Sequence, residues 1–295
     1  MIHYNNCPVC LQGPVHILFP VVDNSVSKEQ FEVWICDNCT AAFTQDVPDS
    51  SAIGRYYASE NYISHSDTRE GIVNKIYHQV RNITLKRKRK LVERETGMLG
   101  GKVLDIGAGT GAFANEMKQA GWDVTALEPD GNARQVAGKN YGMKLEPESA
   151  LFDLDERYDA ITLWHVLEHI HQLHEYGEQF KRLLKPGGKL FIAVPNYESA
   201  DAKFYGPAWA AWDVPRHLYH FTARSMRSFL LLHGLHVLSM KPMWFDSFYV
   251  SMLSEPYKTG KQNLPRAVFK GFSSNAAAVR STSKCSSVIY IAEKV

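Results

Sequence analysis

Short apolar runs alternate with longer amphipathic segments through the middle of the chain. The runs, which are typical of buried strands, fall at residues 102–106, 123–127, 143–145, 158–164 and 188–194. The segments between them, which have the apolar spacing of helices, fall at 112–120, 131–140 and 166–185. This alternation predicts an α/β fold, a doubly wound parallel sheet with helices on both faces. Such sheets bind ligands at the carboxyl ends of their strands.

The two ends of the chain have different patterns. Val15 to Val22 and Phe31 to Ile35 predict two short strands around a polar turn. Residues 72–95 predict a helix, and Ser287 to Glu293 predict the last strand of the sheet. Residues 254–284 are basic and rich in serine, glycine and asparagine, so we expect a pocket-lining loop or a disordered hairpin tip there.

Composition describes an ordinary globular protein of one or two domains. The chain has 295 residues, 45% of them hydrophobic and 22% charged. Its net charge of +2 argues against nucleic acid as a partner. No apolar run is long enough to span a membrane, and the start of the chain does not resemble a signal peptide. The five cysteines, four of them in close pairs, favour metal binding over disulfides, so we expect a protein of the reducing cytoplasm.

Four of the five cysteines form two C-x2-C pairs, Cys7 with Cys10 and Cys36 with Cys39. Two such turns supply the four thiolates of a tetrahedral Zn2+ site, with iron as the main rival. We therefore predict a zinc-ribbon module over residues 1–50. It acts either as a structural clip or as a recognition element for substrate or partner. Cys285 stands alone on an apolar run and is expected to be inert.

A glycine-rich turn follows the first strand of the central pattern. The run from Val103 to Gly111 contains Gly107, Gly109 and Gly111, with Asp105 two residues before the first of them. Glycines allow a tight turn into a helix, whose free N–H groups attract a carboxylate. Glu128 ends the next strand, where a carboxylate accepts hydrogen bonds from ribose hydroxyls. The pattern therefore predicts a ribose-bearing cofactor, and the G-x-G-x-G spacing differs from the G-x-G-x-x-G of nicotinamide sites.

Asp105 and these glycines resemble motif I of class I S-adenosylmethionine (SAM) methyltransferases. Three further segments resemble the same family in the same order. They are Leu127-Glu128-Pro129-Asp130, Leu163 to Ile170, and Leu183 to Leu190. The resemblance covers about residues 100 to 196 and implies SAM as the cofactor.

The resemblance also implies roles for individual residues. Asp105 and the glycine backbone would hold the amino and carboxylate groups of SAM. Glu128 and Pro129 would hold the ribose, and Trp164 and His165 would lie beside the methionine chain and the reacting methyl. Backbone groups near residues 150–151 would contact adenine.

We divide the chain into three predicted parts. Residues 51–98 would form a helical lid or linker that follows the zinc ribbon. Within it, Tyr62 matches a residue that covers the SAM site in related enzymes, although these tyrosines could simply pack the module. The basic run Lys86 to Lys90 is interpreted as a solvated helix face, with nucleic acid or a membrane as the alternative. Residues 99–295 would form the methyltransferase domain, with a substrate-loop insertion at 196–222.

The insertion is rich in aromatic and ionisable residues, as functional loops are. Its part from Trp212 to Thr222 resembles a branch that contains ubiquinone-pathway-like and sugar methyltransferases, some with a four-cysteine zinc module. In the sugar C-methyltransferases a histidine here deprotonates the substrate, and His217 is the matching position. We predict His217, His220 and Asp213 as catalytic residues, with purely structural histidines as the alternative.

The acceptor is expected to be a small molecule, and the sequence leaves the oligomeric state open. Sugar C-methyltransferases continue into a further C-terminal domain, whereas this chain stops at Val295. This difference favours O-methylation of a sugar, glycan or quinone-like hydroxyl, with C-methylation as an alternative. A nucleic-acid or protein methyltransferase that uses the ribbon for recognition is a second alternative. The Trp164-His165-Val166-Leu167 segment lacks the Asn/Asp-Pro-Pro motif of enzymes that methylate amino groups of bases, which argues against the nucleic-acid alternative. A binding module without catalysis is a third alternative.

Overall fold

A computed structural model describes residues 1–57 and 72–295, with side chains after the gap described from residue 81 onward. Among these residues, no helix has the length and apolar character that a membrane crossing requires. The strands are β1 (Val15–Val22), β2 (Gln30–Cys36), β3 (Ala42–Thr44), β4 (Lys102–Ile106), β5 (Asp123–Leu127), β6 (Tyr158–Trp164), β7 (Leu184–Pro195), β8 (Tyr219–His220), β9 (Leu235–Pro242) and β10 (Ser287–Lys294). The helices are α1 (Ile72–Thr96), α2 (Ala112–Gln119), α3 (Gly131–Tyr141), α4 (Leu173–Leu183), α5 (Ala200–Tyr205), α6 (Ala223–Leu232), α7 (Asp246–Thr259) and α8 (Leu264–Arg280).

The central sheet has the strand order β5-β4-β6-β7-β10-β9 in the described part of the chain. Strand β4 pairs in parallel with β5 and with β6, in register at Lys102↔Asp123 and Val103↔Ala160. The predicted Rossmann-like α/β fold is confirmed, although the whole sheet is mixed rather than parallel. Alternation of strands and helices does not record strand direction, so the pattern could not show this.

Local sequence signals explain where the central helices begin and end. Helix α2 follows Gly111, and the side chain of Asp130 accepts a hydrogen bond from Asn132 N at the start of α3. Gly142 ends α3 with a φ of 61°, in the left-handed region that favours glycine. These caps place the first turns of α2 and α3 directly after β4 and β5, where the cofactor motifs lie.

Three expectations about elements need correction. Residues 143–145 do not form a strand, and the local pairing is a single bridge between Leu127 and Glu146. Residues 166–185 are not one helix, because a short 3-10 turn at Leu167–His169 precedes α4. Residues 254–284 are not a loop but mostly helix, since Gly260 ends α7 and the Asn263 side chain caps α8. The polar residues that suggested a loop are these caps and the turn between them.

The chain forms two compact units that interleave along the sequence. The first contains the described residues of Met1–Tyr62, together with His165–His174 and Ala193–Tyr290. It holds a four-stranded sheet, β1-β2-β3-β8, and a core that includes Phe31, Val33 and Trp212. The second contains the described residues of Ile63–Trp164, with Glu175–Ile192 and Ile291–Val295. The divisions at 1–50, 51–98 and 99–295 stay predictions about domains.

Candidate functional site

The glycine loop of the second unit has a backbone that only glycine adopts easily. Gly107, Gly109 and Gly111 have φ values of 69°, 56° and 78°. A Cβ on Gly111 would lie 3.0 Å from the Ala137 side chain, so a larger residue would push α3 away. The loop therefore carries the tight turn, the close helix approach and the exposed backbone that the sequence predicted.

Two buried carboxyl groups flank this loop. Asp105 on β4 accepts a 2.7 Å hydrogen bond from the Thr162 hydroxyl, and burial raises its pKa to about 7. Glu128 accepts hydrogen bonds from Gly109 N at 2.7 Å and Asp130 N at 2.9 Å, while burial raises its pKa. Backbone donors thus hold the Glu128 carboxylate beside the loop. Pro129, which follows, offers its carbonyl oxygen to Arg134.

Helix α1 brings two cations to the same edge of the second unit. The ammonium of Lys88 lies 4.4 Å from the ring centroid of Trp164, and its charge lowers the pKa of Asp105, against the larger effect of burial. Arg81 donates a 3.2 Å hydrogen bond to the hydroxyl of Thr110 in the glycine loop. Lys88 was predicted only as part of a solvated basic run, and Arg81 was not predicted as a site residue. Their seven-residue spacing, which places them on one helix face, was the available signal.

The remaining cofactor candidates of this unit have less defined surroundings. Trp164 ends β6 and packs edge-to-face on Phe113, with ring centroids 5.3 Å apart. Leu151 is buried in a 3-10 turn, Glu148–Phe152, and Ala150 belongs to the same turn. The prediction for Tyr62 lies outside the described residues.

In the first unit, Glu168, His169 and His217 converge. One ligand atom from each residue lies within 4.8 Å of the other two. His217 Nδ1 lies 2.9 Å from Ala211 O, and His169 Nδ1 lies 3.1 Å from Arg216 O. His169 Nδ1 also lies 3.1 Å from the Tyr57 hydroxyl. Because a carbonyl oxygen only accepts hydrogen bonds, these contacts favour the tautomer that carries the proton on Nδ1. Each Nε2 therefore presents a lone pair, which can take a proton or bind a cation.

Glu168 is the buried acid of this cluster. Its side chain is 1% exposed, and neither carboxylate oxygen has a hydrogen-bond partner among the described residues. Burial opposes its ionisation, but its neighbours, above all His165, outweigh that effect and lower its pKa. A buried carboxylate without hydrogen bonds is costly, and such groups concentrate at functional sites.

His165 pairs with acids on both sides. Its Nε2 lies 2.9 Å from Asp246, and its Nδ1 lies 3.4 Å from Glu168. Burial disfavours the charged ring, yet these carboxylates raise the pKa of His165 to about 10. His165 also has a φ of 60°, an uncommon backbone conformation for a residue other than glycine. The ring is therefore a fixed imidazolium immediately after the end of β6.

Burial is the main reason that two other histidines stay neutral. Burial and the nearby His217 lower the pKa of His169 to about 4. The same two causes hold the pKa of His220 well below its usual range. His220 lies on β8, 3.3 Å from the Thr44 hydroxyl and edge-on to Trp212. The structure thus places the predicted catalytic residue His220 among packing partners of the N-terminal sheet.

A buried ion-pair network supports the segment that carries His217. Arg216 makes two hydrogen bonds to Asp213, at 3.0 and 2.7 Å, and one of 2.9 Å to Asp23 in the turn between β1 and β2. It also donates a 2.7 Å hydrogen bond to Tyr56 O. Asp213 Oδ2 lies 3.9 Å from His217 Nε2, so Asp213 is placed to orient His217 and to stabilise its charge. Arg216 is buried and engaged, which leaves it poorly placed to bind an anionic substrate.

The four cysteine sulfurs form a second buried cluster in this unit. Cys7 and Cys39 Sγ atoms lie 3.6 Å apart, and those of Cys10 and Cys36 lie 3.7 Å apart. Four sulfurs at about 2.3 Å from a tetrahedral zinc ion would be separated by about 3.8 Å, so the donor set fits that metal. Backbone N–H groups of Val9 and Ala41 point to Cys7 and Cys39 sulfurs, as expected for thiolates. Cys285 is buried, with its sulfur 3.8 Å from Met243 O.

Comparison with known proteins gives one family match and many relatives. Residues 77–240 match the family model described as a methyltransferase domain. A ubiquinone biosynthesis O-methyltransferase of Pectobacterium carotovorum is 27% identical over 184 residues, which cover 57% of this chain and 74% of the relative. One from Klebsiella pneumoniae is 32% identical over 114 residues, which cover 36% of this chain and 47% of the relative. The second match thus spans about half the length of that relative.

Solved structures share the fold at low sequence identity. A SAM-dependent methyltransferase from Archaeoglobus fulgidus has a TM-score of 0.52 and 16% identity, over 80% of this chain and 100% of its own. Magnesium protoporphyrin IX methyltransferase from Synechocystis PCC 6803, solved with bound S-adenosylhomocysteine, has a TM-score of 0.51 and 16% identity, over 82% of this chain and 99% of its own. At these identities the likeness concerns the fold alone.

Proposed function

Because this chain belongs to the methyltransferase domain family and is a SAM-dependent methyltransferase, we propose that it methylates a hydroxyl oxygen of a small-molecule acceptor. His217 would be the general base. The observation that carries the proposal is the 2.9 Å contact between His217 Nδ1 and the carbonyl oxygen of Ala211. A proton on Nδ1 satisfies this contact and leaves Nε2 to accept a proton beside two carboxylates.

SAM supplies a methyl group already activated on a sulfonium sulfur. The chain's residues then need to hold SAM, position the acceptor and remove one proton. Asp105, the glycine loop and Lys88 would bind the amino acid end of SAM, because they offer opposite charges and backbone donors at one edge. Glu128 would accept hydrogen bonds from the ribose hydroxyls. Its Oε2 atom, which accepts a hydrogen bond from Gly109 N, would either give up that bond or accept both.

His217 Nε2 would take the acceptor's hydroxyl proton as the oxygen forms its new bond to the methyl carbon and the carbon–sulfur bond breaks. The resulting imidazolium would be stabilised by Asp213, 3.9 Å away, and by Glu168. The products are the methyl ether and S-adenosylhomocysteine. His165, already charged, would serve to hold Glu168 rather than to move a proton.

The names of the relatives support oxygen as the methylated atom and a quinone-like molecule as the acceptor that carries it. A sugar or glycan hydroxyl remains the alternative, carried by the resemblance of the Trp212–Thr222 segment. Incubation with SAM and a panel of catechols, sugars and RNA, followed by mass spectrometry, tests this choice. Methylation of a phenolic hydroxyl supports the proposal, whereas transfer to carbon, nitrogen or RNA contradicts it.

Replacement of the proposed base gives a sharper test. His217→Ala should retain SAM binding and lose turnover by roughly 10²- to 10⁴-fold, the usual contribution of a general base. His16→Ala, on the exposed first strand, is the matched control and should have wild-type turnover. Calorimetry measures SAM affinity and single-turnover assays measure the rate. Full activity of His217→Ala would remove His217 as the base.

Glu168, His169 and His217 support a second candidate role, the binding of a divalent cation. Two imidazoles with Nδ1 held by carbonyls and one carboxylate are a recurrent ligand set. Acceptor activation would then depend on the cation, not on free His217. Activity that disappears on mild chelation with cysteine-bound metal retained, and returns with Mg2+ or Mn2+, would favour this role over the base.

We also infer that Cys7, Cys10, Cys36 and Cys39 hold one Zn2+ ion, on the sulfur separations given above. Burial of all four sulfurs supports a closed structural site, because a catalytic zinc keeps an open coordination position. The role of the module would then be structural, because it positions Asp23 to bind Arg216.

A further inference from the structure

Helices α7 and α8 present an apolar outer face to solvent. The exposed apolar side chains of α8 recur at three- and four-residue intervals along one side of the helix. They are Leu264, Val268, Phe269, Phe272, Ala276 and Val279. Helix α7 adds exposed Leu253. Single apolar side chains at a surface need no explanation, but a continuous row along a whole helix marks an interaction surface.

The largest of these side chains keep most of their surface exposed, although Phe272 packs edge-to-face on Phe248 of α7, with ring centroids 4.9 Å apart. Phe269 is 66% exposed, Phe272 is 62% exposed and Val279 is 75% exposed. The opposite side of α8 is buried through small residues such as Ala267, Gly271 and Ala278. At Gly271 an added Cβ would lie 2.6 Å from the Phe248 ring of α7. The two helices are thus fixed closely together, and the bulky aromatic residues are left on the outside.

The charges around this face have one sign. Lys258, Lys261 and Arg280 are exposed, while Arg266 and Lys270 are partly exposed. The two acids of the hairpin do not balance its six lysine and arginine residues. Asp246 pairs with His165, and buried Glu255 is bonded to Tyr205 and pairs with Arg266 at 3.5 Å. The chain as a whole carries only +2, so this hairpin concentrates positive charge.

We propose that this face, residues 246–284, adsorbs to an anionic lipid bilayer, with α8 lying in the interface rather than crossing it. An apolar face of phenylalanine, leucine and valine, bordered by lysine and arginine, is the pattern of an interfacial helix. A second copy of the chain would bring identical positive rims together, which opposes self-association. The anionic headgroups supply the complementary charge, and the acyl boundary covers the aromatic side chains. This inference goes beyond the methylation proposed above and does not depend on it.

Vesicle co-sedimentation of the full chain tests the proposal. The protein should bind vesicles that contain phosphatidylglycerol and bind much more weakly to pure phosphatidylcholine. Phe269→Ser/Phe272→Ser should weaken binding more than tenfold, because two aromatic side chains that would be buried in the bilayer are lost. Lys261→Ala/Arg280→Ala should weaken it about fivefold for each charge removed. Leu231→Ser/Leu232→Ser, exposed on α6, is the matched control and should bind like wild type.

All these positions are largely exposed, so each variant should keep cooperative thermal unfolding and wild-type SAM affinity, which shows that the fold is intact. Equal binding to neutral and anionic vesicles would overturn the proposal, as would the absence of vesicle binding. A dimer in light scattering that Phe269→Ser/Phe272→Ser converts to monomer would also overturn it, since the face would then be an interface between copies.

Discussion

At the scale of single residues, burial sets the chemistry of both candidate sites. Asp105 and Glu168 are both carboxyl groups away from solvent, yet their pKa values move in opposite directions. Burial dominates at Asp105, where Lys88 compensates only in part. At Glu168 the neighbouring imidazole groups, above all the charged ring of His165, outweigh burial. One acid is therefore poised to receive a cation such as the SAM ammonium, while the other is already charged.

Lys88→Ala should weaken SAM binding several-fold, because a cation near the glycine loop and Trp164 would be lost. Lys90→Ala, two residues along the same basic run and exposed, is the matched control and should bind SAM like wild type. Isothermal titration calorimetry on both variants measures the effect. Equal affinities for the two variants would show that Lys88 does not contact the cofactor.

Asp105→Asn should stabilise the SAM-free protein near pH 8 while weakening SAM binding. The folded pKa of Asp105, about 7, lies above the ordinary value of about 3.9, so the folded state holds the proton more tightly. Its stability contribution is full below pH 4 and is lost as pH rises to about 7, by ~4 kcal/mol at most. Melting temperatures of wild type and variant should therefore diverge between about pH 5 and pH 8. A constant difference across that range would contradict the raised pKa.

At the scale of elements, the N-terminal sheet and the insertion at residues 196–222 are joined by strand pairing and by a buried ion-pair network. Strand β3 pairs with β8, in register at Ala42↔His220, and Arg216 joins Asp23 to Asp213. The position of His217 thus depends on the turn between β1 and β2 as well as on its own segment. The N-terminal module, which the sequence predicted as a separate zinc ribbon, therefore helps to position His217, the proposed base.

Asp23→Asn should destabilise the protein by about 3 kcal/mol, because buried Arg216 would lose a charged partner. Turnover should fall while SAM affinity stays unchanged. Asp37→Asn, on an exposed carboxylate of the same module, is the control and should change stability little. Burial would raise the pKa of Asp23, but Arg216 holds it at about 2, so this stabilisation is present above pH 4 and lost as pH falls towards 2. Denaturant unfolding of both variants tests the difference.

The elements show how far sequence alone can reach. Strands β4, β5 and β6, helices α2 and α3, and the paired cysteines follow from local patterns, because each depends on neighbours within a few residues. Helix α8 was missed because its apolar face is exposed and its ends are polar caps. The Glu168–His169–His217 cluster was missed because His217 lies 48 residues after His169, and the two segments meet only in the folded chain. Lys88 was recognised as part of a basic run, but the sequence did not show that its side chain lies over the Trp164 ring.

At the scale of the whole molecule, chain connectivity is the dominant feature. Each compact unit is assembled from three separate stretches of sequence. The proposed base, His217, lies in Ala193–Tyr290 of the first unit, whereas the proposed cofactor motifs from Asp105 to Glu128 lie in the second unit. Changes in one unit are therefore expected to affect the chain's stability as well as its chemistry.

Purified protein should contain one zinc ion per chain, measurable by inductively coupled plasma mass spectrometry. Cys36→Ser should lower that content and the melting temperature, because the metal closes a module with a small core. Cys285→Ser, on the buried cysteine outside the cluster, is the control for zinc content. Iron in place of zinc, or a full metal content in Cys36→Ser, would contradict the assignment.

The pairing of β3 with β8 also constrains how the protein is made. Both cysteine pairs leave the ribosome early, yet the partner of β3 follows about 180 residues later, on the order of ten seconds at typical synthesis rates. Throughout that interval the nascent module has an open strand edge and an unpaired Asp23. A chain truncated before residue 220 would keep that edge exposed, and exposed edges template aggregation. The first part to be synthesised is therefore among the last to be completed, and it depends most on protection during translation.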